Sequence, residues 1–366
     1  MKTISIFNNK GGVGKTTLTY HVANALAELG HKTLIFDLDP QCNVTIMSMH
    51  EDSIHDIWEK EDNFIEDYKA AREKMGKQDY DNLFKETRSI HFLLKPSQDG
   101  VDADHISKPY ELDTNLSIIP GRLTMHLFEQ KVSRVWNDIY SGEPQAIRIV
   151  TQIRNLALQY AEKYGFEYVI MDTSPSLGTL NKVIISTTDG FMIPANPDLF
   201  SLYGIRNIGK ALSEWKKDFD RMMHFLSDEK RKMFPTAFVQ LLGYTIYNAK
   251  KYTKSTNNTW NLAKAHYNYA QQIPETIKTF IEEEIWEKIP DDTLEQPIGG
   301  LSVMHTHNTT PSIAQKYHVP IWKVPDQDLE YDDKNTIRGN AKYYYETKEK
   351  YLAFTNDLLE RFKLLD

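Results

Sequence analysis

An alternating segment from Thr3 to Phe7 runs through Asn8 and Asn9 into Lys10-Gly11-Gly12-Val13-Gly14-Lys15-Thr16-Thr17, and then into a stretch with helical apolar spacing. A strand that ends in a glycine-rich turn and feeds a helix leaves few folds open. Glycines let several backbone N–H groups converge on one anion, and the helix N-terminus adds its dipole. Lys15 has the length to reach the outer phosphates of a nucleotide, and a hydroxyl at Thr16 suits Mg²⁺. The general phosphate-loop pattern asks for glycine at position 9, where this chain has Asn9; a second lysine, Lys10, stands beside the double glycine instead. Leu18, Val22, Ala25, Leu26 and Leu29 recur at three- and four-residue steps and predict a helix stopped by Gly30. The unbroken run Thr33-Leu34-Ile35-Phe36 then predicts a strand covered on both faces. Strand, helix and strand in about 35 residues make a βαβ unit and imply a mostly parallel sheet.

Strand-like runs return at 116–120 (LSIIP), 168–171 (YVIM), 190–194 (GFMIP) and 237–242 (AFVQLL), with helical stretches at 145–163 and 204–219. This alternation predicts an α/β fold with a doubly wound, mostly parallel twisted sheet flanked by helices. Residues 50–110 are charged and weakly periodic, which predicts a helical insertion whose charges form a solvated face. A second enlarged helical segment is expected at 249–288, a polar loop at 325–340 and a closing helix over 341–366 that docks on the sheet. Among 366 residues, 43 Lys and Arg stand against 51 Asp and Glu, for a net charge of -8, so a surface built throughout to clamp nucleic acid is not expected. The single cysteine, Cys42, excludes a disulfide framework and a thiolate-held cluster. No apolar run reaches the ~20 residues of a membrane span, and the start lacks a secretory pattern, so a cytoplasmic setting is expected.

Two further motifs carry carboxylates. Asp37-Leu38-Asp39-Pro40-Gln41-Cys42-Asn43 ends the second strand, and alternation puts Asp37 and Asp39 on one side of it, near the phosphate loop. Tyr168-Val169-Ile170-Met171-Asp172 is an apolar strand ending in aspartate, followed by Thr173-Ser174-Pro175-Ser176-Leu177-Gly178.

Together these strings resemble the deviant Walker A ATPases of the ParA/MinD class, a SIMIBI-type group of P-loop NTPases whose signature is KGGxGKT. The resemblance covers most of the chain as a single 1–366 domain and thins over 50–110 and 249–285. It implies an Mg²⁺-dependent ATPase, ATP held by Gly11, Gly12, Val13, Gly14, Lys15, Thr16 and Thr17, and a homodimer that sandwiches two ATP molecules. Lys10 would then contact the nucleotide of the opposing copy, in a role comparable to an arginine finger. Lys10, Lys15 and Asp39 are thereby the catalytic candidates, Asp39 polarising the attacking water. Thr16, Asp37 and Asp172 are the metal candidates, with Asp172 acting through water and residues 173–178 as the γ-phosphate switch. Asn248 and the pair Pro290-Asp291 match the family's adenine-contacting segments.

The resemblance further implies DNA partitioning or cargo positioning, with nonspecific DNA bound by the ATP dimer, nucleoid association and a ParB-like or other activating partner. The alternative is an assembly regulator that works through protein partners or a membrane without DNA. Lys230-Arg231-Lys232, Lys250-Lys251-x-x-Lys254, Arg338, Lys342 and Lys348 are the basic residues available for phosphate contacts, against a reading of solvated surface. A membrane-surface closing helix is not expected, because Asp357, Glu360 and Asp366 interrupt its positive face. His305, His307 and His318 lack a carboxylate or cysteine at ligand spacing and read as surface-loop histidines, and Cys42 as a small packed residue.

Overall fold

In a computed structural model, residues 1–101, 105–250, 258–305 and 307–365 are described. Seven strands form one sheet: β1 (Lys2–Ile6), β2 (Thr33–Asp37), β3 (Tyr110–Asp113), β4 (Leu116–Ile119), β5 (Tyr168–Asp172), β6 (Gly190–Ala195) and β7 (Gln240–Ile246). Their order is β3-β4-β2-β5-β1-β6-β7, and every pairing is parallel except the β3–β4 hairpin. The register sets Ile6 of β1 and Asp37 of β2 opposite Asp172 on the two sides of β5, so the chemistry-bearing strand ends are level.

Period-two alternation divides the core. Leu34, Phe36, Val169 and Met171 face one layer, whereas Ile35 and Ile170 face the other. The second layer is covered by α1 (Lys15–Glu28) and by the closing helix Ala341–Lys363, which buries Tyr351, Phe354, Leu358 and Phe362. Its Arg361 is buried too, bonded to the carbonyls of Leu242 and Gln296 and to Asp357. After β2 come α2 (Asn43–Ser48), α3 (Glu51–Glu66), α4 (Tyr68–Lys74), α5 (Lys77–Leu83) and α6 (Ile90–Gln98). The first layer is covered by α6, α7 (Met125–Val135), α8 (Pro144–Tyr164), α9 (Thr179–Thr187) and α10 (Leu199–Phe225).

Four sequence expectations need correction. The last strand lies at Gln240–Ile246 rather than 237–242, because Gly243, at φ +125°, sits at a bulge opposite Phe191 and Met192 and the strand runs on through it. The expected loop at 325–340 contains the helix Tyr331–Gly339, whose apolar pattern is faint because only Ile337 is buried. Glu61 departs from the solvated face expected for 50–110: it is buried and accepts hydrogen bonds from Ser89 N and Oγ, with Arg122 3.3 Å away. His307 is buried, stacked 5.7 Å from the ring of Tyr351. Lys251, Lys254 and Asp366 lie outside the described residues.

Candidate active site

The loop from β1 to α1 carries the site. Gly14 caps α1 at φ +82°, and a Cβ there would fall 2.2 Å from the Tyr247 ring, so glycine is required twice over. The first ladder bond of α1 runs from Leu18 N to Gly14 O at 2.8 Å, which leaves the N–H groups of Lys15, Thr16 and Thr17 outside the helical ladder. Gly11 and Gly12 are exposed, with open space where a side chain would stand. Val13 points its side chain into the core, so only its backbone can serve a ligand.

Lys15 is buried and its Nζ donates to Lys10 O at 3.1 Å. Burial pushes its ammonium pKa down, while Asp172 and Asp39 oppose that push. Lys10 has a different partner: its Nζ lies 2.6 Å from Asp198 Oδ2 and 5.8 Å from the centre of the Phe200 ring. Asp198 caps α10 by accepting from Ser201 N, and its carboxyl pKa is lowered by Lys10 and Ser201 against the opposing pull of burial.

Three carboxylates converge at the strand ends. Asp172 accepts from Thr16 Oγ1 at 3.0 Å and from Thr19 Oγ1 at 3.1 Å. Burial, with Asp39 nearby, raises its pKa to about 7. Asp39 is buried, accepts from Gln41 N at 3.0 Å and is raised by burial. Asp37 does not present a free edge: Oδ1 accepts from Asp39 N at 3.2 Å, and Oδ2 from Thr45 N and Oγ1 at 3.0 and 2.6 Å. Burial first, then Asp172, pushes Asp37 well above the usual carboxylate range. Its position favours bracing the turn into α2 over ligating a metal. The set of hard oxygens at Thr16, Asp172 and Asp39, with more carboxylates than cations, suits Mg²⁺.

Residues 173–178 are tied by Asn181, whose Nδ2 donates to Ser174 O at 2.8 Å and Ser176 O at 2.7 Å. From α7, Glu129 Oε1 accepts from Leu180 N at 3.3 Å and lies 2.3 Å from where a Cβ on Gly178 would stand. A side chain there would displace the Glu129 carboxylate.

Asn248, at φ +56°, is exposed just beyond Tyr247. Pro290 and Asp291 do not join this cluster. Asp291 lies 3.4 Å from Lys278, and the chain then follows β7 through the bond from Ile298 N to Tyr244 O. Only near Met304, whose carbonyl accepts from Ala249 N, does it reach the loop end of the sheet. His307 therefore comes within 6.0 Å of the Tyr247 ring, and Tyr351 links it to His21, whose ring is 4.9 Å further on. Ile321 N donates to His21 Nε2, so Nδ1 carries the proton and donates to Thr17 O at 2.7 Å. Glu129, Asn181 and Asp198 escaped the sequence reading, which took His307 for a surface-loop histidine and Tyr247 only as the neighbour of Asn248. Thr19 had a signal, standing one turn beyond Thr16 on the same helix face.

Most of the basic residues named from sequence are engaged within the chain. Lys230 donates to Gly142 O, Arg231 and Lys232 pair with Asp228 and Glu229, Lys348 with Glu28, and Lys342 lies 3.7 Å from Glu346. Cys42 is buried and its thiol pKa pushed up by burial. Among the described residues no cluster of three metal-ligating His, Cys, Asp or Glu side chains occurs, and no helix is long and apolar enough to cross a membrane.

A family model described as AAA domain matches residues 1–225. An uncharacterized protein of Methanocaldococcus jannaschii is 28% identical over 218 residues, 59% of this chain and 67% of its own. A virulence plasmid ParA family protein of Chlamydia psittaci is 26% identical over 252 residues, 68% of this chain and 78% of its own. Relatives from Mycobacterium tuberculosis are matched over 49% of their length. Among solved structures, pNOB8 ParA bound to nonspecific DNA superposes with TM-score 0.52 at 16% identity, over 99% of this chain and 98% of that one. A Cyanothece McdA variant in complex with ATP gives TM-score 0.53 at 17% identity, over 94% and 96%. At these identities the structures speak for the fold.

Proposed function

The chain belongs to the AAA domain family matched by residues 1–225 and is a ParA-like P-loop NTPase; on that premise we propose that it is a Mg²⁺-dependent ATPase whose ATP-bound form closes into a sandwich dimer that positions DNA or another cargo. The observation that carries this reading is the division of labour between the two lysines. Lys15 is buried inside the loop, whereas Lys10 commits its ammonium to Asp198 at the rim. Around that rim, Leu123, Leu177, Leu199 and Phe200 follow the ends of β4, β5 and β6 and are exposed, Phe200 by 74%. Apolar side chains left open beside a phosphate loop suit a surface that a second copy covers.

The chain's own groups divide the chemistry. Lys15 and the N–H groups opening α1 neutralise and orient the phosphates. Thr16 and Asp172 would hold Mg²⁺, which supplies charge neutralisation at the transferring phosphoryl group when bound. Asp39 orients the attacking water. Lys10, released from Asp198, stabilises charge in the opposing copy, and Asn181 with Glu129 couples the 173–178 switch to the rest of the first layer.

DNA as the cargo surface is supported by a relative named as a virulence plasmid ParA family protein and by the solved ParA bound to nonspecific DNA. A second reading, assembly through a protein partner, is favoured by the internal pairing of the named basic residues. Sedimentation with a nonhydrolysable ATP analogue and Mg²⁺ tests the core of the proposal, which predicts a dimer that ADP does not support; a monomer throughout overturns it. Salt-sensitive DNA retention with ATP but not ADP separates the two cargo readings.

A further inference from the structure

The insertion and the first layer meet in a cleft of about 530 Å³ between α3, α6 and α7. Six of its lining residues matter: Lys95, Gln98, Arg122, Thr124, Lys131 and Arg134. Four are cations in a chain of net charge -8. Lys95 pairs with Asp99 at 3.1 Å, and Arg122 with Glu61 and Asp62. Lys131 and Arg134, at a three-residue step on α7, have no ion-pair partner among the described residues, although Glu66 lines the α3 wall. One buried donor is also left over: Arg122 Nε has no hydrogen-bond partner, in a residue only 6% exposed, whereas the Gln98 side chain is engaged with His91. Buried donors without acceptors are costly, about 1–3 kcal/mol each, and a ligand that accepts from them recovers that cost.

We propose that this cleft is a binding site for a small phosphate-bearing dianion, separate from the phosphate loop. Two unpaired cations match a phosphate monoester in charge, and the unused Arg122 N–H matches one of its oxygens. The site is one helix from the switch, since α7 also carries Glu129, which bonds Leu180 N.

The test is calorimetric titration of the full chain, saturated with ADP and Mg²⁺ so that the phosphate loop is filled, with glycerol 1-phosphate as probe and glycerol as the uncharged control. Saturable binding of the phosphate alone is expected, weakening with added salt. The double variant Lys131→Ala/Arg134→Ala alters side chains outside the core and should weaken binding at least about tenfold while leaving ADP affinity unchanged. Absence of saturable binding, or equal affinity in the double variant, overturns the proposal. So does a hexaglutamate peptide that binds the cleft and cannot be displaced by the phosphate, which would make this a surface for acidic protein.

Discussion

Asp198 serves two elements at once: Oδ2 holds Lys10 Nζ at 2.6 Å while Oδ1 accepts from Ser201 N at 2.9 Å to cap α10. Lys10 cannot reach a second copy without leaving this carboxylate. The pair is partly exposed, so its rupture costs no more than about 1 kcal/mol. Asp198→Asn keeps the cap and releases the lysine. We predict ATP-dependent dimerisation at a protein concentration lower by roughly two- to fivefold, measured by sedimentation. Lys10→Ala should bind ATP normally yet fail to dimerise or turn over; wild-type behaviour in both assays would remove the trans-acting role.

Lys15→Ala deletes the buried cation between Asp172 and Asp39. Nucleotide affinity should fall on the order of 100-fold, as expected for loss of a charged hydrogen-bonding group. Titration with a fluorescent ATP analogue checks this, and an affinity within threefold of wild type would contradict it.

Asp39→Ala should dimerise with ATP and hydrolyse it at no more than about a hundredth of the wild-type rate. Phosphate release gives the rate and light scattering the dimer, so loss of turnover is distinguished from loss of assembly.

Gly14→Ala brings a methyl group to 2.2 Å from the Tyr247 ring at φ +82°. The variant should lose about 2 kcal/mol or more of stability in urea unfolding. In a Tyr247→Ala background the clash is gone, so Gly14→Ala should cost less there than in the wild type, whereas a backbone effect alone would cost the same in both.

His307 is buried and its pKa is lowered to about 4, by burial first and by Lys350 next. A histidine with a depressed folded pKa contributes stability present above about 6.5 and lost as pH falls from there toward 4. His307→Phe removes the titrating group and keeps a stacked ring beside Tyr351. Between pH 7.5 and 5.5 the wild type should lose about 1.4 kcal/mol more unfolding free energy than the variant. Parallel pH profiles would show that this ring does not titrate differently on unfolding.

The strands and the phosphate loop were readable because buried β-strands and glycine turns leave local marks. The loop's neighbours were not. Tyr247 and His307 touch across 60 residues of chain, and Asp198 meets Lys10 across 188, contacts that no local period records. Pro290-Asp291 was assigned by string likeness, but the path of the chain beside β7 delivers Met304 and His307 to the loop end instead. β3 escaped because Tyr110–Asp113 is a half-exposed edge strand with carboxylates on its outward face.

Both margins of the sheet are shut. On one side β3 is four residues long, bulged, and presents Glu111 and Asp113. On the other, Ile298 N and the Arg361 guanidinium occupy carbonyls of Tyr244 and Leu242 on β7. Both edges are therefore poor templates for lateral recruitment of a neighbour's strand, which disfavours edge-to-edge growth into a cross-β fibre. The exposed apolar side chains stand instead at the strand tips, where the proposed twofold contact would close on itself and stop at two.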